Sequence, residues 1–122
     1  MSITKHSAYE YIRGDRTILC NGIMARVDLL SAISVGADAD GGPYVRLYII
    51  GYDPIVRSID VKDKYKSGLS NEDIRLLLDQ LIYDVSEFVQ STRSVFDIQS
   101  RFDELSKELL DSRRLYDTSM YD

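Results

Sequence analysis

The chain has 122 residues, a formal net charge of −5 and 44% hydrophobic residues. Its length suits one domain and its composition is that of a globular protein, which argues against a disordered or fibrous chain. The acidic balance argues against a general binder of nucleic acid or of an anionic membrane, because both require a basic surface. Cys20 is the single cysteine, so an intrachain disulfide and a cysteine-based zinc site are excluded.

The sequence predicts a single domain, residues 1–122, with two parts of different character. All seven glycines and both prolines lie at or before Gly68. Glycine and proline mark turns and the ends of strands, and their absence permits long helices. We therefore expect residues 1–61 to be mainly β, 62–69 to connect, and 70–117 to be helical. The predicted fold class is α+β, an antiparallel β-meander of three to four strands followed by two C-terminal helices.

The first residues predict a short helix and then a hairpin. Ser7–Glu10 has the spacing of a capping box, and Gly14 is a typical helix stop. Asn21-Gly22 stands between two apolar runs and predicts a tight hairpin turn, because both turn residues must adopt positive φ.

Residues 23–35 fit two patterns. As a strand they place Leu29 and Ile33 on one apolar face, whereas as a helix they place Met24 and Val27 three positions apart. The β-branched residues and the preceding turn favour the strand.

The clearest strand runs from Tyr44 to Ile50, where apolar residues alternate with tyrosines and an arginine. A glycine-rich loop, residues 36–43, precedes it. Asp53-Pro54 supplies turn chemistry after it, and residues 55–61 are expected to return as the next strand.

Two apolar runs follow Ser70, which has Asp73 at the spacing of a capping box. The first run is a broad helical stripe, and Ile82 and Val89 widen it. Ser91–Ser94 interrupts the pattern before a second, narrower run begins at Val95. A helical hairpin and one long broken helix both fit this pattern, and the interruption favours the hairpin.

The apolar helical surface exceeds what one small sheet face can cover. A homo-oligomer, most often a dimer, is the usual way to bury such a surplus. The surface expected at this interface, or against another protein, is the following set of apolar residues: Phe88, Val95, Phe96, Ile98, Phe102, Leu105 and Leu109.

Catalytic constellations are not apparent. His6 is the single histidine, so a catalytic triad or a multi-histidine metal site is not expected. Cys20 has no histidine base and is expected to be a small buried residue. Asp38 and Asp40 are weak candidates for a divalent cation, although a solvated turn is the simpler interpretation. With no phosphate-binding motif, the sequence predicts no enzyme, no metal and no cofactor.

Arginine and tyrosine stand out in the predicted strands. An arginine beside tyrosines suits a nucleotide-like anion, because its planar guanidinium binds phosphate and stacks on rings. The residues expected to form such a ligand-binding surface are Tyr44, Arg46, Tyr48 and Arg57. The alternative is a solvated face whose arginines pair with Asp28 and Asp60 across strands.

These patterns favour a small non-enzymatic protein that acts by stoichiometric binding of a protein partner and associates with itself. An adaptor, an inhibitor or an assembly factor of a bacterium or phage fits this description. The alternative function is a binding module for a small anionic ligand. Direct binding of nucleic acid is not expected. No apolar leader follows Met1 and no run is long enough to span a bilayer, so we expect a cytoplasmic protein without a membrane partner.

Overall fold

The structure, a computed structural model, describes residues 16–121, and side chains for residues 16–115. The short helix expected at Ser7–Glu10, its stop at Gly14, and His6 lie outside this range. The elements in chain order are β1 (Thr17–Cys20), β2 (Ile23–Arg26), a 3₁₀ turn (Val27–Leu29), β3 (Leu30–Ala37), β4 (Pro43–Ile49), β5 (Ile55–Ser58), α1 (Asp63–Lys66), α2 (Asn71–Val89), β6 (Val95–Asp97) and α3 (Ile98–Tyr121). The α+β class is confirmed.

The predicted hairpin joins β1 and β2, which pair antiparallel with Cys20 opposite Ile23. Asn21 and Gly22 form its turn with φ of 31° and 84°, as the Asn-Gly pair requires. The Asn21 side-chain amide donates to the Ser58 carbonyl oxygen. This hydrogen bond ties the tip of the hairpin to the end of β5.

Residues 23–35 are extended, as favoured, but the 3₁₀ turn breaks them into β2 and β3. A bulge between Leu30 and Ala32 adds a second irregularity. The prediction that Leu29 shares the core face with Ile33 is therefore wrong. Leu29 is 45% exposed, whereas Leu30 packs against the core.

The structure contains two three-stranded sheets within residues 16–121. The first has the order β2-β1-β6, and the second has the order β3-β4-β5. The second is the antiparallel meander that the sequence predicts, and its central strand buries Val45 and Leu47 completely.

Strand β6 was not predicted, and it pairs in parallel with β1 between the two long helices. Val95 was assigned to the second helical run, but it lies opposite Thr17 in this sheet. The Thr17 amide also donates to the Ser94 carbonyl oxygen at 2.9 Å. The chain thus makes a short strand before α3 begins, and the single long helix is excluded.

Helix α2 begins with the predicted capping box. The Ser70 hydroxyl accepts from the Asp73 amide at 3.1 Å, and the Asp73 carboxylate accepts from the Ser70 amide at 2.9 Å. Helices α2 and α3 pack against each other as a hairpin. Within the described residues, no helix is both long enough and apolar enough to cross a membrane.

The residues expected at an oligomer or partner interface form the core of the chain instead. Those that are buried are Phe88, Phe96, Ile98, Phe102 and Leu105. Leu109 packs against this core, and Val95 alone is largely exposed, at 49%. The prediction was wrong because it assumed that only one sheet face packs against the apolar side of the helices. The second sheet and β6 supply additional apolar surface within the same chain.

Candidate functional site

Tyr44, Arg46 and Tyr48 project from the outer face of the second sheet, as their alternation predicts. The Arg46 Nη1 donates to the Tyr48 hydroxyl at 3.5 Å, and its guanidinium lies 5.8 Å from the centre of the Tyr44 ring. The hydrogen bond from Arg46 lowers the pKa of Tyr48. The three side chains form a half-buried ridge.

Arg57 does not join this ridge, which corrects the four-residue surface expected from the sequence. It lies opposite Val45 in the sheet, whereas Arg46 lies opposite Val56. Cross-strand neighbours share a face, so Arg57 belongs to the face that carries the buried Val45. Its Nη1 donates to the Val56 carbonyl oxygen at 3.0 Å.

The Asp38 carboxylate closes its own loop. Its Oδ1 accepts from the Asp40 amide at 2.9 Å and from the Gly42 amide at 2.8 Å. This is the local hydrogen bonding that favours aspartate in turns. No group of three or more metal-ligating side chains occurs in the part of the chain that the structure describes.

Cys20, the last residue of β1, is buried. Burial raises the pKa of its thiol, and the positive charge of Arg57 opposes this only in part. The reactive thiolate is therefore disfavoured at neutral pH, and Cys20 serves as a core residue.

A groove opens between β3 and α2, and sequence analysis did not locate it. It encloses about 320 Å³. Its apolar walls are Val27, Leu30 and Ile33 on one side and Ile82, Val85 and Val89 on the other. Its polar lining consists of Ser31, Ser86 and Gln90, so no charged side chain lines it.

The hydrogen-bond pattern of β3 determines which backbone groups face this groove. The Asp38 amide donates to the Gly42 carbonyl oxygen at 2.9 Å, so this position has the phase of a hydrogen-bonded pair. Such pairs alternate along antiparallel strands. Ser34 and Gly36 therefore bond to β4, with Arg46 and Tyr44 as their partners in the register.

Ile33 and Val35 consequently point their N–H and C=O groups away from β4. The hydrogen bonds between β4 and β5 lead to the same assignment, because the Ile59 amide donates to the Pro43 carbonyl oxygen at 2.9 Å. Odd-numbered residues of β4 thus bond to β5, and even-numbered ones bond to β3. Among the described strands, none pairs with β3 on its outer edge.

The helical wall of the groove is fixed at its C-terminal end by Arg16. One nitrogen of this guanidinium donates to the carbonyl oxygens of Phe88, Val89 and Ser91 at 3.1, 2.9 and 2.7 Å. Carbonyl groups at a helix C-terminus lack intrahelical partners and carry partial negative charge. Arg16 therefore caps α2 next to the groove.

The N-terminal end of α2 is fixed by Asp73 and Arg113. The Arg113 nitrogens donate to the two Asp73 carboxylate oxygens at 2.5 and 2.9 Å. The hydrogen bonds from Arg113, together with that from the Ser70 amide, hold the pKa of Asp73 far below its usual range. Since Arg113 belongs to α3, this pair joins the start of α2 to the neighbouring helix.

The sequence contained one signal for the groove. Ile82 and Val89 widen the apolar stripe of α2 beyond the face that the core covers. That signal does not identify the other wall of the groove, because only the strand order shows that β3 is at the edge of its sheet.

Comparison with protein-family models, with curated proteins and with solved structures finds no match to this chain.

Proposed function

We propose that this protein is non-enzymatic and acts by stoichiometric binding of a segment of a protein partner in the groove between β3 and α2. The observation that carries the proposal is an apolar groove of about 320 Å³ that runs beside β3, whose outer edge pairs with no other strand within residues 16–121. An adaptor, an inhibitor and an assembly factor all act through such a surface.

The composition of the groove supports binding rather than catalysis. Its lining offers aliphatic side chains, two serines and one glutamine, and it contains no acid, base or cationic group. Activating a serine hydroxyl requires an adjacent base. Apolar walls with a few polar groups are typical of recognition sites.

The fixed ends of α2 support binding as well. Arg16 and the Asp73–Arg113 pair hold this wall of the groove in place before any partner arrives. A preformed site loses less conformational entropy on binding. The groove in the free protein is therefore already close to the shape that a partner would meet.

Selection from a random displayed peptide library on the immobilised full chain tests this proposal. Selected peptides are then measured on two variants of α2, Ser86→Arg inside the groove and Tyr83→Arg outside it. Tyr83 is a matched control because it is exposed on the same helix and does not line the groove.

We expect Ser86→Arg to weaken binding by at least about tenfold, since an unpaired charge would enter an apolar groove. Tyr83→Arg should leave it unchanged. Selected peptides that bind both variants equally well would contradict the proposal, because their site would lie elsewhere.

A second candidate is binding of a small anion at the ridge of Tyr44, Arg46 and Tyr48. The contacts of Arg46 with the Tyr44 ring and the Tyr48 hydroxyl favour it, since a guanidinium and aromatic faces both suit a nucleotide. A panel of nucleotides at millimolar concentration should then raise the melting temperature, and Arg46→Ala should abolish the shift. No shift with any nucleotide would contradict this candidate.

A further inference from the structure

We infer that the groove takes an extended, uncharged polypeptide segment that adds to β3 as a further strand. This inference rests on the proposed function, since it names the partner of the same site. It depends on three observations: the backbone groups at the β3 edge, the composition of that edge, and the chemistry of the two walls.

The backbone groups select an extended chain. Ile33 and Val35 direct two N–H and two C=O groups away from β4, as the alternation of the hydrogen-bonded pairs requires. A lipid chain or a small apolar molecule would cover these groups without bonding to them, which is costly. A helix uses its own backbone groups internally. An added strand satisfies them by main-chain hydrogen bonds.

The composition of β3 differs from that of the other strands at sheet edges. Edge strands are usually short or carry charges or prolines that prevent pairing with another chain. Strand β2 has four residues and includes Arg26, and β5 has four residues, follows Pro54 and includes Arg57. Strand β6 has three residues and includes Asp97.

Strand β3 is neither short nor charged, and its one irregularity, the bulge between Leu30 and Ala32, precedes Ile33 and Val35. It extends over eight residues, Leu30–Ala37, and contains no charged residue and no proline. An edge of this length and neutrality is suited to pairing. It also lies beside the apolar groove.

The two walls specify the side chains of the segment. Successive residues of a strand point to opposite faces. Alternate residues of the added strand would therefore lie over Ile82 and Val89, on the helix side of the sheet. The intervening residues would lie beside the small side chains of Ala32 and Ser34, on the outer side.

The volume and charge of the groove further restrict which side chains the added segment can carry. An apolar cavity of roughly 150 Å³ holds one benzene-sized group, so a groove of about 320 Å³ accommodates two aliphatic side chains. A charged side chain would find no counter-charge among the lining residues. The segment should thus present two aliphatic residues, two positions apart, with uncharged residues between and beside them.

The test uses a capped, fluorescently labelled peptide of about eight residues, with valine and leucine two positions apart among serines and threonines. Its affinity for the full chain is measured by fluorescence anisotropy. Each peptide amide is then methylated in turn, which removes one hydrogen-bond donor without changing the side chain. Ser86→Arg and the matched Tyr83→Arg variant are measured alongside.

We expect N-methylation to weaken binding about tenfold or more at every second amide, with little effect at the amides between. Ser86→Arg should weaken binding, and Tyr83→Arg should not. Tolerance of methylation at all positions, with Ser86→Arg still harmful, would overturn the strand inference and leave the groove as a binding site.

Two other outcomes would overturn the inference in different ways. If the designed peptide fails to bind while library-selected peptides bind and are sensitive to Ser86→Arg, the partner is not the uncharged aliphatic segment inferred here. If no peptide binds and the purified protein has twice the mass of 13.9 kDa, with Ile33→Lys returning it to a single copy, the occupant is a second copy of this chain.

Discussion

The two long sides of α2 carry similar apolar residues but differ in how far those residues are buried. On one side Leu81 and Phe88 are fully buried against the core. On the other side Ile82 is half-buried, and Val89 is 39% exposed at the groove. Leu81 and Ile82 are neighbours in sequence. Helical periodicity therefore places both in the apolar stripe of α2. The position of the nearest strand determines which side of that stripe is fully buried.

The buried side of α2, which carries Leu81 and Phe88 and is called the closed side below, is covered by β6 and by Arg93. Strand β6 places Phe96 with its ring centre 5.5 Å from that of Phe88. The Arg93 guanidinium then covers both rings at 5.4 and 5.7 Å. The open side faces β3, where the sheet ends. The contrast teaches that the same amphipathic helix can be core on one side and line an apolar groove on the other.

The largest expected effect separates a closed position from an exposed one on the same helix. Leu81→Ala should lower the free energy of unfolding by about 2–5 kcal/mol, since it removes a fully buried side chain and leaves a cavity. Leu76→Ala is the matched control, because Leu76 is 59% exposed, and it should cost less than about 1 kcal/mol. Urea denaturation measures both. Equal losses would contradict the assignment of the closed side.

An intermediate effect is expected at the N-terminal end of α2. Asp73→Asn should lower the free energy of unfolding by about 1–3 kcal/mol at neutral pH, because it removes a charge-assisted pair with Arg113 and weakens the capping box. The partial exposure of Arg113 keeps the expected loss below that of a fully buried ion pair.

This loss should depend on pH in one direction. The pKa of Asp73 is lower in the folded protein than in the unfolded chain, where a value of about 3.9 is usual. The stabilisation is therefore complete above that unfolded value and is lost as the pH falls below it. The difference between wild type and Asp73→Asn should shrink on acidification. Asp63→Asn, at a side chain 97% exposed, should show no comparable difference.

The smallest effect on stability is expected on the outer sheet face. Arg46→Ala should change the free energy of unfolding by less than about 0.5 kcal/mol, as for other solvent-facing substitutions. It should raise the pKa of Tyr48, because the hydrogen bond that lowers this pKa is lost. An ultraviolet titration of the tyrosines measures the change. An unaltered titration would show that Arg46 does not contact Tyr48 in solution.

Local signals in the sequence were sufficient for much of the fold. Asn21-Gly22 defined the hairpin, Ser70 and Asp73 defined the start of α2, and Ser91–Ser94 marked the break between the helices. In each case the physical cause lies within a few neighbouring residues, as a required φ, a cap or a loss of periodicity.

Other features depend on which strands pair, and these were missed. Val95 and Ile98 lie three positions apart and imitate a helical stripe, although β6 is a strand. The face of Arg57 follows from its register with β4. The groove follows from β3 lying at the edge of its sheet, a fact about strand order that no local pattern contains.

Hydrogen exchange of the β3 amides, followed by NMR in the free protein, tests the open edge most directly. The account predicts alternation: slow exchange at Ser34 and Gly36, whose amides bond to β4, and fast exchange at Ile33 and Val35. Equally slow exchange at all four amides, at every protein concentration, would contradict the account, because the edge of β3 would then already be paired.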